Sequence, residues 1–173
     1  MNHPYLLLSF LLGLLSPGLT LAQTPQGKTT SVRGTTHTGV TYQQLLAASE
    51  NAGNWMTYSG QYNGQRFSQL DQVNENNAGR LRLKWVRQIQ TKTAFETSPL
   101  VVDGVMFLTL PENKVWAVDA QTGLPYWKYD HGLPGQLAVC CGKVNRGLAI
   151  LGDTLYMGTL DAKLVALDSK SGN

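Results

Sequence analysis

The feature that most restricts what this chain can fold into is an internal repeat. Laying Leu100–Gly123 (LVVDGVMFLTLPENKVWAVDAQTG) over Ala149–Gly172 (AILGDTLYMGTLDAKLVALDSKSG) gives a match at an offset of 49 residues. Met106-Phe107 falls on Leu155-Tyr156, Lys114 on Lys163, Ala117 on Ala166, Asp119 on Asp168 and Gly123 on Gly172. Each copy reads apolar strand, tight turn, apolar strand, short loop, apolar strand, then Asp-x-x-(Thr/Ser)-Gly. A strand-built repeat of this length is one blade of a β-propeller. Asp119 and Thr122, and in the second copy Asp168 and Ser171, carry side chains that satisfy the backbone of a turn. The glycine that follows takes positive φ without steric penalty. Trp127 comes shortly after Gly123 and can lie flat on the neighbouring blade. Reading Asp119 or Asp168 as a calcium ligand is weaker, because no cluster of oxygen ligands surrounds either one.

Composition agrees with short strands and many turns. Charged residues are 14%, against about 25% in an average soluble domain, and Gly, Asn, Gln, Thr and Ser fill the gap. That argues against a helical bundle. Hydrophobic content of 42% and a net charge of +3 exclude a disordered tail, a collagen-like repeat and a strongly basic nucleic-acid binder. The fold class is therefore all-β. A closed propeller takes about four blades or more, and these 173 residues hold little more than two. Asn173 follows a turn where the first copy runs on to Trp127. The sequence is accordingly expected to be a fragment of a longer propeller.

Ahead of the repeat, Leu6–Leu15 is an uncharged apolar run. It is too short for a hydrocarbon core that needs roughly 20 apolar residues. Ser16-Pro17-Gly18 breaks it, and Thr20-Leu21-Ala22 places small residues where a signal peptidase cuts. Residues 1–22 are read as a signal peptide, which makes the protein exported and, in a bacterium, periplasmic. An uncleaved leader is the alternative, and the only expected route to membrane association. Gln23 in place of Cys disfavours a lipoprotein. Residues 23–53 are expected to form a flexible mature N-terminus with one short helix. Thr41 stands as N-cap with Gln44 in the capping-box position, and the helix runs to about Asn51 before Gly53. Residues 54–173 form the blades. Within them Arg80-Leu81-Arg82-Leu83-Lys84-Trp85 alternates, which predicts a strand with Leu81, Leu83 and Trp85 inward and the cations in solvent. Those cations are also a candidate patch for an acidic cytochrome.

Cys140 and Cys141 are the chain's only cysteines and they are adjacent. Export implies an oxidising compartment and hence a disulfide. Adjacent Cα atoms lie about 3.8 Å apart across a trans peptide, below the usual range of about 4.4–6.8 Å for a disulfide. Their bond would close a strained small ring and contribute almost nothing by loop entropy. Strain of this kind persists mainly where a site uses it, here as a flat sulfur surface on which a planar ligand stacks. Two reduced thiols or an intermolecular bridge are the other readings. No Cys-x-x-Cys-His haem attachment occurs, and His3, His37 and His131 are too scattered for zinc.

Three segments together carry a family resemblance. Asn54-Trp55-x-x-Tyr58 with Arg66-Phe67-Ser68, then Glu96-Thr97-Ser98-Pro99-Leu100-Val101-Val102-Asp103-Gly104, then Cys140-Cys141-Gly142-x-Val144-Asn145-Arg146-Gly147 resemble the N-terminal part of pyrroloquinoline quinone (PQQ)-dependent alcohol dehydrogenases. These are eight-bladed quinoprotein propellers of the methanol and ethanol dehydrogenase type. The run Ala117-x-Asp119-x-x-Thr122-Gly123-x-x-x-Trp127 resembles their tryptophan-docking repeat. The resemblance implies that the Cys140–Cys141 ring covers one face of PQQ and that Arg146 pairs with its anionic oxygens. Glu96 would hydrogen-bond at the cofactor's edge. Guanidinium suits this task because it binds carboxylate in bidentate fashion. The resemblance further implies a calcium or lanthanide ion, a small alcohol substrate oxidised to an aldehyde, and a cytochrome c acceptor. The metal ligands and catalytic base would lie beyond residue 173, so the fragment alone is expected to be inactive. A non-catalytic protein-binding propeller of the outer-membrane assembly type, a soluble sugar dehydrogenase and a decayed gene fragment are the alternatives.

Overall fold

The structure is a computed structural model and describes residues 27–173. The expected leader, residues 1–22, lies outside the described residues. Two antiparallel sheets correspond to the two copies of the repeat. In the first, β2 (Leu100–Val102), β3 (Val105–Leu110), β4 (Lys114–Asp119) and β5 (Pro125–Asp130) form a meander. In the second, β6 (Ala149–Leu151), β7 (Thr154–Gly158) and β8 (Leu164–Asp168) follow in the same order. The register repeats as well, Met106 pairing with Val118 and Leu155 with Leu167. The β2–β3 hairpin turns on Asp103 and Gly104, both at positive φ (48° and 80°), as the twist of a two-residue hairpin requires.

These strands are apolar on both faces because a blade is packed from both sides. Val105, Phe107, Val115, Ala117, Trp127 and Tyr129 are buried on one face and join Leu155 and Met157 of the second blade in one core. On the other face Met106, Leu108 and Trp116 are half-buried, and the Lys128 ammonium sits 4.1 Å from the Trp116 ring centroid. Burial of Trp127 is complete, and its indole N–H donates to Ser169 O at 3.0 Å. Its ring lies over Gly172 so closely that a Cβ there would stand 2.6 Å from Cε3. The turn motif holds that glycine in place. Asp168 Oδ1 accepts from Ser171 N and Oγ, both at 2.7 Å; in the first blade Asp119 Oδ1 accepts from Gln121 N and Thr122 N.

The N-terminal segment departs from expectation. Residues 28–40, expected to be flexible, contain a strand. β1 (Lys28–Ser31) adds to the outer edge of β5, from Lys28 opposite Asp130 to Ser31 opposite Trp127. The pairing needs backbone bonds and no apolar side chains, and it covers an edge that would otherwise stay open. Beyond it His37 and Val40 are buried, and Val40 forms an antiparallel bridge to Gly152. The capping box of Thr41 and Gln44 forms as expected at the start of α1 (Tyr42–Leu46). The helix is shorter than expected and is followed by a 3-10 turn over Ala48–Glu50. Leu45 of the helix and Ala48 of the turn reach the core.

The expected strand over Arg80–Trp85 is not formed. Leu81 and Leu83, expected inward, are 63% and 80% exposed, because among the described residues no strand pairs with this stretch. Trp85 repeats what Trp127 does. Its indole donates to Ala120 O at 3.0 Å and covers Gly123, where a Cβ would stand 2.6 Å from Cε3. Ala120 and Gly123 occupy in the first copy the places of Ser169 and Gly172 in the second. Arg87 reinforces the contact by donating to Gly123 O from Nε at 3.2 Å and Nη2 at 2.9 Å.

Candidate functional site

The two blades meet at the entrances to β2 and β6. There Ser98 and Gly147 form a parallel bridge, with Ser98 N donating to Arg146 O at 2.9 Å. This contact brings Glu96, just before β2, beside Arg146, just before β6. Arg146 Nη2 lies 3.0 Å from Glu96 Oε2, with side-chain exposures of 64% and 43%. Glu96 thus has the cationic partner that its loop position demands, and the guanidinium already binds one carboxylate while most of it faces solvent. A further carboxylate can be received there by charge-assisted bonds.

Cys140 and Cys141 lie in an exposed turn closed by Gly142 at φ 86°. Their sulfurs face each other 2.7 Å apart. A hydrogen bond donated to Cys140 chiefly holds the Cys141 thiol pKa above its ordinary value. The Arg146 charge pulls it down and the Glu96 charge pushes it up. Glu96 and Arg146 are thus paired on the rim, and both charges act on the Cys141 thiol. Tyr58 borders the rim, its ring in reach of Gly147 and its carbonyl accepting from Ser98 Oγ at 3.1 Å. Next to Tyr58 opens an apolar cleft of about 330 Å³ between Leu45, Met56, Tyr62 and Ile150. Among the described residues no group of acidic, histidine or cysteine side chains is arranged to hold a metal ion.

Beneath the rim runs a polar network that the sequence reading missed. Thr109, 1% exposed, donates from Oγ1 to Asn145 O at 2.9 Å and lies 2.9 Å from Thr97 Oγ1. Asn145 donates to Asn113 Oδ1 at 3.1 Å and Gly158 O at 2.9 Å, and accepts from Gly147 N at 3.2 Å. Asn113 is fully buried in a left-handed pair with Glu112, at φ 58° and 66°. The only signals for it in sequence were a Pro-Glu-Asn tripeptide in a strand connection and an asparagine beside the expected arginine.

Comparison with known proteins gives the family and the fold. Residues 55–173 match the family model described as PQQ: glucose/ethanol/alcohol dehydrogenase, beta-propeller domain. The dehydrogenase subunit of alcohol dehydrogenase (quinone) from Gluconacetobacter polyoxogenes is 41% identical over 91% of this chain and 22% of its own length. Quinoprotein alcohol dehydrogenase PedH of Pseudomonas putida is 40% identical over 80% of this chain and 24% of its own. Among solved structures, quinohemoprotein alcohol dehydrogenase ADHIIG of Pseudomonas putida superposes with a TM-score of 0.73 at 38% identity, over 79% of this chain and 20% of that one. A europium-containing methanol dehydrogenase gives 0.70 at 32%, over 76% and 24%. The chain thus spans about a fifth to a quarter of the length of these relatives.

Proposed function

Because the chain belongs to the family of PQQ-dependent alcohol dehydrogenase β-propellers, we propose that it supplies one wall of the cofactor site of an exported quinoprotein. That enzyme oxidises a small alcohol to an aldehyde and passes the electrons to a cytochrome c. The observation that carries the reading is the half-exposed Glu96–Arg146 ion pair, with two exposed, facing cysteine sulfurs whose thiol responds to both charges. A planar, carboxylate-bearing cofactor needs a cation for its carboxylates and a flat surface for its ring, and these residues offer both. Arg146 would bind a cofactor carboxylate, Glu96 would keep the guanidinium oriented and bond the cofactor's edge, and Cys140 and Cys141 would cover one face. The chemistry that PQQ supplies when bound is acceptance of two electrons from the alcohol.

The cysteine surface becomes rigid when the two thiols are oxidised to a disulfide. Two protons are released, and the two electrons pass to a thiol-disulfide exchange protein of the exported compartment. A calcium or lanthanide ion belongs to this reading, with ligands contributed from outside residues 27–173. Such an ion would supply Lewis-acid polarisation of the reacting carbonyl. Export itself rests on residues 1–22.

The test is PQQ titration of the gene's complete product, followed by absorbance. Arg146→Ala removes the only cation of the rim pair and leaves Glu96 facing the cofactor's carboxylates. Affinity should fall by about a hundredfold or more, the scale of a lost charge-assisted pair. Unchanged PQQ affinity in this variant would overturn the proposal.

A further inference from the structure

We propose that Asn145 is a positioning residue for the Glu96–Arg146 pair, and that it sets the affinity for a carboxylate-bearing cofactor through Arg146 rather than by touching the cofactor. The inference rests on the reading just given. Asn145 Oδ1 accepts from Gly147 N at 3.2 Å, closing an Asx turn with Arg146 at its apex. Both amide N–H groups are committed as well, to Gly158 O on the second blade and to the oxygen of buried Asn113 on the first. These partners allow one amide orientation only, since a flipped amide would set N–H against N–H and C=O against C=O. Three fixed bonds thus define where the residue after Asn145 begins.

The same network reaches Glu96. Thr109 has one hydroxyl proton and uses it on Asn145 O. The proton between the two threonine hydroxyls therefore comes from Thr97, and Thr109 N donates in turn to Thr97 Oγ1 at 3.2 Å. Thr97 follows Glu96 in the chain and Asn145 precedes Arg146. Ser98 N to Arg146 O closes the loop between the two strands. The backbones of both charged residues are thereby tied to each other by a chain that avoids both charged side chains. Asn113 presents its oxygen to Asn145, while its own buried Nδ2 has no hydrogen-bond partner among the described residues. A site holds its charges in place through such supporting residues, and loosening them typically lowers affinity by about ten- to a hundredfold.

The experiment is a double-mutant cycle in the gene's complete product, reading PQQ dissociation constants of the apo-protein and its thermal unfolding. Asn145→Ala should weaken PQQ binding about tenfold, and Thr109→Val, a nearly isosteric change at the far end of the network, should weaken it in the same direction. In an Arg146→Ala background the Asn145→Ala change should lose its effect on PQQ affinity, because the group it positions is gone. Should Asn145→Ala fail to fold, Asn145→Ser, whose hydroxyl still accepts from Gly147 N, and Thr109→Val carry the cycle. Equal loss of affinity with and without Arg146, or no loss in either background, would overturn the inference. Arg146→Ala alone without effect on PQQ would instead strike the cofactor reading itself, so the two failures are distinguishable.

Discussion

The docking of Trp127 on Gly172 makes a quantitative prediction. Gly172 and Gly104 have nearly the same left-handed backbone, φ 79° and 80°. Alanine at either site therefore carries the same conformational penalty, about 1–2 kcal/mol. Their surroundings differ. A Cβ at Gly104 meets nothing within 4 Å, whereas one at Gly172 comes within 2.6 and 2.7 Å of Trp127 Cε3 and Cδ2, and 3.2 Å from Thr29 Cγ2. Trp127 has no exposed surface to retreat into and is tied to Ser169 O. Overpacking at such a site costs about 1–3 kcal/mol more. Gly172→Ala should thus destabilise by about 2–5 kcal/mol and Gly104→Ala by about 1–2. Gly123→Ala should fall between them, because Trp85 above it is only half-buried and lies on a segment with no strand partner. Urea midpoints followed by tryptophan fluorescence measure the order, with Trp127 itself as reporter. Equal midpoints for Gly172→Ala and Gly104→Ala would show that the indole is not locked on the glycine and that inter-blade docking is not what holds the blades together.

Two further tests concern acid stability and the cysteines. The hydrogen bond from Lys163 chiefly holds the Asp161 carboxyl pKa below its ordinary value, with Thr159 and His131 adding to it and burial opposing. A pKa lower in the folded than in the unfolded state means stability that is complete above the unfolded value, about 3.9, and is lost as pH falls through the folded value. Urea midpoints should therefore drop on acidification below about pH 4, and Asp161→Asn should flatten that drop while lowering the midpoint at neutral pH; parallel curves for the two proteins would remove Asp161 as the cause. For the cysteines, intact mass of the protein expressed with its leader and recovered from the periplasm under non-reducing conditions should be two hydrogens below the sum of its residues, and free titration of both thiols in the native protein would exclude a closed Cys140–Cys141 ring.

What was legible in the sequence was whatever repeats or has a local cause. The blade boundaries followed from the 49-residue offset because every blade solves the same packing problem with the same turn. The Thr41–Gln44 capping box was equally local. β1 was not legible, since Lys28–Ser31 carries no apolar pattern and is a strand only because β5 presents an open edge to it. Arg80–Trp85 misled in the opposite way. Its alternation is real, but a strand also needs a neighbour, and without one the apolar side chains of Leu81 and Leu83 stay in solvent. Trp85 was assigned to that strand's inner face, whereas its place is fixed by Gly123, far along the chain.

The site shows the same division one level deeper. Glu96 and Arg146 were singled out by the family resemblance, and the structure makes each the other's partner. Their mutual placement was not readable, because it depends on Thr97, Thr109, Asn113 and Asn145, residues that meet only when two blades close against each other. Reactive groups announce themselves by chemical type, whereas the residues that aim them are ordinary amides and hydroxyls whose role exists only in three dimensions. Aim, however, decides affinity. A guanidinium on a loosely held loop would lose conformational freedom on each binding event, while one held at the apex of an Asx turn between two blades has lost it already. On the proposed reading, a rim built this way is set before the cofactor arrives, and a selectivity for carboxylates would follow from the fold as much as from the charge.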